Sequence, residues 1–123
     1  MERNVVNWFE IPVTDMNRAR KFYETVFKKK LTETPMPDMQ MMTFPWNKQG
    51  VNTSGALVKA KNIKPTTDGT RVYFQCDDVN NEIKMAESNG GKTIMSKTSV
   101  GTNGYIAIII DTEGNHIGLH SMK

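Results

Sequence analysis

The stretch Val13–Tyr23, VTDMNRARKFY, decides how the rest of the chain is read. It opens at the end of an apolar, β-branched run, Val5–Val13 (VVNWFEIPV), which has the composition of a strand. Thr14-Asp15 follows, and an aspartate there can accept a backbone N–H as a helix N-cap. Beyond it Met16, Ala19, Phe22, Tyr23, Val26 and Phe27 recur at three- and four-residue spacing, so one helix face is apolar while Arg18, Arg20, Lys21 and Glu24 turn to water. A strand feeding a one-sided helix has to pack on a sheet. The run Lys28-Lys29-Lys30 after the helix complements its negative end.

The same order returns in the second half. A strand-like Arg71–Cys76 (RVYFQC) runs into Asp77-Asp78-Val79 and a helical stretch closed by Gly90-Gly91, glycines that suit a C-cap. Setting Asp15 over Asp78 gives an offset of 63 residues, which also pairs Glu24 with Glu87, Leu31 with Ile94 and Gly55 with Gly118, without a gap. Each helix is followed by enough sequence for three strands. These are 30–34, 39–44 and 55–59 in the first half, and 92–95, 105–110 and 116–121 in the second, separated by turn residues such as Pro35, Pro37, Gly50, Gly101, Gly104 and Asp111–Asn115. The expectation is an α+β chain of two βαβββ repeats, about 4–60 and 69–122, forming one domain over residues 1–123 with a shared cleft.

Composition narrows the function classes. With 24% charged residues of both signs interspersed and a net charge of +3, the 123-residue chain reads as a globular protein. The basic residues are scattered and the aromatics fall at core positions, so no nucleic-acid partner is expected. There is no apolar run long enough to cross a membrane and no leader-like segment, and the single cysteine, Cys76, has no internal disulfide partner. From those features a cytoplasmic protein without a membrane partner is expected, with Cys76 a small buried thiol.

Two segments carry a family resemblance. VTDMNRARKFY (Val13–Tyr23) and DTEGNHIGL (Asp111–Leu119) resemble, in order and spacing, the first strand-to-helix junction and the last hairpin of the vicinal-oxygen-chelate superfamily, which includes glyoxalase I, extradiol dioxygenases, fosfomycin-resistance enzymes and bleomycin-binding proteins. Metal-using members place a histidine on the first strand of each repeat and a carboxylate on the last, four ligands that leave positions open for substrate oxygens. The resemblance puts Trp8 and Arg71 in the histidine slots and Gly55 and Gly118 in the carboxylate slots. An indole, a guanidinium and two glycines offer no metal ligand, so neither a metal nor another cofactor is expected.

Strand alternation assigns the cleft lining. Trp8, Glu10 and Pro12, then Arg71, Tyr73 and Gln75, then Thr53, Gly55 and Leu57, and finally His116, Gly118 and His120 face the cleft, while Phe9, Ile11, Val13, Val72, Phe74 and Cys76 pack under the helices. Glu10 and Arg71 come from corresponding strands, and their charges are expected to meet. Glu10 and His120 are the candidate acid-base pair, and Trp8, Arg71, Tyr73, Gln75 and His116 the candidate ligand contacts. Trp46 and one of the adjacent Met41 and Met42 suit an aromatic ligand, and Lys97-Thr98 stands ahead of a turn expected to close over the mouth. Three functions remain open at this point. They are a metal-independent small-molecule binding protein, a lyase or isomerase of the glyoxalase-like type working by acid-base chemistry or an unrecognised metal, and an assembly subunit whose cleft serves dimerisation, with a homodimer expected.

Overall fold

The structure is a computed structural model and describes residues 2–123. The first half forms β1 (Trp8–Pro12), α1 (Met16–Phe27), β2 (Thr32–Glu33), β3 (Met39–Thr43) and β4 (Ser54–Ala60). The second forms β5 (Val72–Gln75), α2 (Val79–Ser88), β6 (Lys92–Ser99), β7 (Tyr105–Ile110) and β8 (His116–Ser121). Each half makes a mixed four-stranded sheet, in the orders β1-β4-β3-β2 and β5-β8-β7-β6, in which the first strand runs parallel to the last. The fold is α+β, and β1 and β5 each keep one unpaired edge within their sheets.

Both helices start as the sequence dictates. Asp15 Oδ1 accepts the Arg18 N–H at 3.1 Å, and Asp78 Oδ1 accepts the Asn80 N–H at 3.0 Å. α2 stops where Gly90 takes φ 96° and the Gly91 N–H reaches back to the Ala86 carbonyl at 2.8 Å, a Schellman closure. The strands differ in length from expectation. β1 begins only at Trp8, because its partner β4 begins opposite at Ser54, and Val5 and Val6 are left exposed. β6 runs on to Ser99 through two register shifts, so Lys97 and Thr98 lie in a strand, and the glycine-containing turn after them is the short helical turn Gly101–Asn103. Lys97 Nζ bridges to Asp78 Oδ1 at 3.2 Å and lies 4.6 Å from the Tyr105 ring centre, which pins β6 to the start of α2.

The helix-facing sides of both sheets and the inward faces of both helices merge into one apolar core, with Phe22, Tyr23, Val26, Leu57, Ile109 and Leu119 among its fully buried members. On the helix-free face of the first sheet, Met41, Ala56 and Val58 form a separate small cluster. Met41 and Met42 therefore point to opposite faces, as alternation requires, and Met42 belongs to the main core.

Strand register corrects the cleft assignment of β4. Glu10 pairs with Ala56, whereas Tyr73, 63 residues after Glu10, pairs with Gly118, 62 residues after Ala56. The first repeat thus carries one more residue between its first and last strands than the second, and the constant offset fails beyond the helices. A one-residue slip exchanges the faces. Ser54, Ala56 and Val58 face away from the helices, Leu57 is in the core, and Gly55 lies under Phe9 on the helix side. The assignments in the second repeat hold, with Tyr73 and Gly118 sharing the helix-free face.

One turn bolts the repeats together. Asp111 Oδ1 accepts the N–H groups of Glu113 (2.8 Å) and Asn115 (2.9 Å), and its Oδ2 accepts the buried hydroxyl of Tyr23 on α1 at 2.5 Å. Asn115 Nδ2 donates to the Pro12 carbonyl at 2.8 Å. Glu113 Oε1 accepts the N–H groups of Thr14 and Asp15, both at 2.8 Å, and its carboxylate pairs with Arg18 at 2.7 Å. Burial pushes the Glu113 carboxyl up, and the Arg18 and backbone hydrogen bonds outweigh it, taking the group down to about 2.

Two outcomes are expected. A Cβ at Gly55 would strike the backbone oxygen of Phe9 and come within 2.6 Å of its ring, whereas at Gly118 the obstacle is the half-exposed Tyr73 ring, which can swing aside. Gly55→Ala should cost about 3 kcal/mol in urea unfolding and Gly118→Ala about 1 kcal/mol, and the reverse order would contradict this packing. Glu113 has a folded-state pKa below its unfolded value of 4.5, so its contribution is fully present above that value and is lost as pH falls towards about 2. Unfolding free energy measured across that window should fall more steeply for the native chain than for Glu113→Gln, and parallel curves would count against the bolt.

Candidate functional site

The helix-free faces carry the positions at which the family resemblance places metal ligands. With the register corrected, those positions hold Trp8 and Arg71 on the first strands and Ala56 and Gly118 on the last. An indole N–H only donates, a guanidinium stays cationic, and alanine and glycine have no donor atom, so this set does not fit a metal ion. Ala56 replaces the expected Gly55 without altering that chemistry. Among the described residues no group of three or more His, Cys, Asp or Glu side chains converges.

In the second repeat the carboxylate position is also covered. The Tyr73 ring lies across Gly118 so closely that a Cβ there would come within 2.6 Å of Tyr73 Cγ. Gly118 is buried beneath it, and the ring keeps 44% of its surface exposed. A flat aromatic surface occupies the ground where a glutamate would otherwise rise.

The predicted site residues form three local groups. Trp8 Nε1 donates to Glu10 Oε2 at 3.3 Å, Arg71 donates to the Tyr73 hydroxyl at 3.3 Å, and His120 Nδ1 faces Gln75 Oε1 at 3.4 Å. The expected meeting of Glu10 and Arg71 does not occur: among the described residues neither enters an ion pair, since each binds a neighbour two residues away on its own strand. Glu10 and His120 are not brought together either. Glu10 and His116 line a small cavity of about 210 Å³ beside Val72 and Asn115, whereas His120 lines a different, larger one. His120 Nε2 also donates to the Asn103 carbonyl at 2.6 Å, which in a neutral imidazole leaves Nδ1, beside the Gln75 amide, as the nitrogen without a proton.

That larger cavity, about 640 Å³, opens on the seam between the repeats. Its size suits an organic ligand of two or three rings. Tyr73, Gln75 and His120 supply one wall and the β3–β4 loop another, through Trp46, which is 66% exposed. The floor is a set of phenylalanines, Phe9, Phe27, Phe44 and Phe74, with the Phe27 and Phe74 rings stacked at 4.3 Å and Phe9 and Phe44 each within 5.9 Å of Phe74. Alternation placed Phe9 and Phe74 under the helices, and they are there, but they sit at the seam, where neither helix covers them fully.

Glu82 of α2 also lines this cavity. It falls between the buried Val79, Ile83 and Ala86, so it lies on the inward helix face, where the period calls for an apolar side chain. A carboxylate out of phase with its helix was the signal in the sequence, and it went unread. Burial pushes the Glu82 carboxyl above the ordinary range, and neighbouring Asp77 adds to the shift while the Cys76 thiol and Lys28 oppose it. Cys76 is buried as expected; burial, then the charge of Glu82, raises its thiol to about 12, which makes it a poor nucleophile.

The family model of the glyoxalase/bleomycin resistance protein/dioxygenase superfamily matches residues 5–119. A glyoxylase-like domain-containing protein of Didymella fabae is 31% identical over 114 residues, covering 89% of this chain and 88% of that protein. A putative glyoxylase of Mycobacterium bovis, CFP32, is 26% identical over 125 residues, covering 92% of this chain but only 44% of its own length. Among solved structures, the antibiotic binding protein TnmS3 from Streptomyces sp. CB03234 superposes with a TM-score of 0.73 at 25% identity over 98% of both chains. No helix among the described residues is long and apolar enough to cross a membrane. By its repeats, its two signature segments and these matches, the chain belongs to the glyoxalase/bleomycin resistance protein/dioxygenase superfamily.

Proposed function

We propose that this protein binds a small organic molecule without a metal ion, and that the ligand enters the seam cavity against Tyr73, Gln75, His120 and Trp46. The observation that carries the reading is the donor set. The four family ligand positions hold Trp8, Ala56, Arg71 and Gly118, and the Tyr73 ring lies over the last of them. Replacing carboxylate and imidazole by aromatic and apolar surface turns a site built for electrophilic catalysis into one suited to stacking. TnmS3, an antibiotic binding protein by description, matches the whole length of this chain and supports a binding role. Trp8 and Arg71, with His116 beside the smaller cavity, are further contacts in this reading, which treats residues 1–123 as one cytoplasmic, homodimeric ligand-binding domain.

A second reading, a glyoxalase-like lyase or isomerase, is favoured by the descriptions of the Didymella fabae and Mycobacterium bovis proteins. Acid-base chemistry through Glu10 and His120 would require the two groups to share a cavity, and they line separate ones. Use of the helix-free faces for assembly alone would leave the aromatic seam without a role.

Elemental analysis separates the first two. Purified protein dialysed without chelator should carry well under one equivalent of zinc, nickel, iron or manganese per chain, and its melting temperature should not respond to EDTA. A full equivalent surviving dialysis, or a melting temperature that falls with EDTA, would overturn metal independence.

A further inference from the structure

The seam cavity contains one group that its aromatic walls do not explain. Glu82 Oε1 is buried and has no hydrogen-bond partner among the described residues; the nearby Cys76 thiol, which opposes the rise of its carboxyl, donates to the Phe74 carbonyl at 3.6 Å. Glu82 also forms no ion pair among the described residues, although Lys29 lines the same cavity. Lys29 is exposed, on the loop after α1, and its ammonium can stay in water; the carboxylate oxygen cannot. An unpaired buried acceptor is destabilising, more so when charged, and a donor arriving with a ligand relieves that penalty.

We infer that the seam cavity selects a flat aromatic cation, whose rings lie on the floor of Phe9, Phe27, Phe44 and Phe74 and whose protonated nitrogen pairs with the Glu82 carboxylate. This rests on the reading of the cavity as a small-molecule site and adds the charge of its ligand. Three features converge on a cation. Aromatic faces attract positive charge through their quadrupoles, more strongly out of water. Among the described residues, the one buried side-chain polar atom lacking a partner is a carboxylate oxygen, an acceptor. A charge-assisted N–H bond to a carboxylate is about twice as strong as a neutral one. The raised position of the Glu82 carboxyl fits, because burial without a counter-charge is what a cation would relieve. An anionic ligand would bring like charge to Glu82, and a neutral ring would leave its oxygen unpaired.

Three acridines of one shape test this at neutral pH with EDTA present: 9-aminoacridine as the cation, acridine as the neutral ring and acridine-9-carboxylate as the anion. Titration calorimetry of the full chain should show 9-aminoacridine binding about tenfold more tightly than acridine, with the carboxylate weakest. Glu82→Gln should bring 9-aminoacridine and acridine to similar affinity while leaving acridine unchanged. Lys29→Ala, at an exposed position, should tighten the cation by removing a like charge, and it serves as a second variant should Glu82→Gln fold poorly. Equal binding of cation and neutral ring by the native chain would overturn the charge selection and leave the cavity standing as a ligand site. A preference that survives Glu82→Gln would overturn the role of Glu82. Absence of binding by all three rings would contradict both the inference and the seam cavity as the ligand site.

Discussion

The turn Asp111–Asn115 is the constraint on which the rest of the molecule depends. Three of its four polar side chains reach across to the first repeat, Asp111 to Tyr23, Glu113 to Thr14, Asp15 and Arg18, and Asn115 to Pro12. All of these partners lie at the end of β1 and on α1 up to Tyr23, so the repeats are clamped at one end of their seam. Burial of the Tyr23 hydroxyl, together with the Asp111 charge beside it, holds the phenol well above its usual range, so it remains a hydrogen-bond donor. The opposite end, where α1 runs out at Phe27 and the β3–β4 loop passes over, has no comparable clasp among the described residues. There the phenylalanine floor is only partly covered, and the 640 Å³ cavity opens. Clamp and cavity are two ends of one interface.

The same economy of side chains shapes the helix-free faces. Parallel pairing of first and last strands brings the Phe9 ring onto Gly55 and the Tyr73 ring onto Gly118, and neither glycine can gain a Cβ without a collision. At Gly55 the ring faces the helices and completes the core. At Gly118 it faces outward, and the phenol lies where a metal-using relative would place a carboxylate. Loss of the ligand and arrival of the ring are thus coupled: restoring a glutamate at Gly118 would first have to move Tyr73. Such coupling ties the donor set to the packing of the whole sheet.

Much of the fold was legible because it follows from short-range chemistry. Asp15 and Asp78 capped helices, Gly90-Gly91 closed one, and alternation separated Met41 from Met42 and Phe74 from Tyr73. What failed were statements requiring long-range register. One extra residue between α1 and β4 displaced Gly55 from the face assigned to it, because a constant offset cannot register an insertion in one repeat. The Glu10–Arg71 pair failed for a related reason: correspondence between repeats fixes strand position but not the distance between two edge strands. The seam was hidden differently. Phe9 and Phe74 were correctly read as helix-side residues, but how completely helices cover them depends on where α1 ends. Glu82, out of phase on its helix, was the visible clue to a polar group beneath the surface.

In the proposed function, ligand recognition lies in the aromatic seam and not at the metal positions. Backbone amide chemical-shift mapping of the full chain with 9-aminoacridine, in excess EDTA, addresses it most directly. The largest shifts are expected at Phe9, Trp46, Phe74, Gln75 and Glu82, with Met41 and Ala56 unmoved. Shifts centred on Met41, Ala56 and Ile108, or shifts that appear only when a divalent metal is restored, would contradict it.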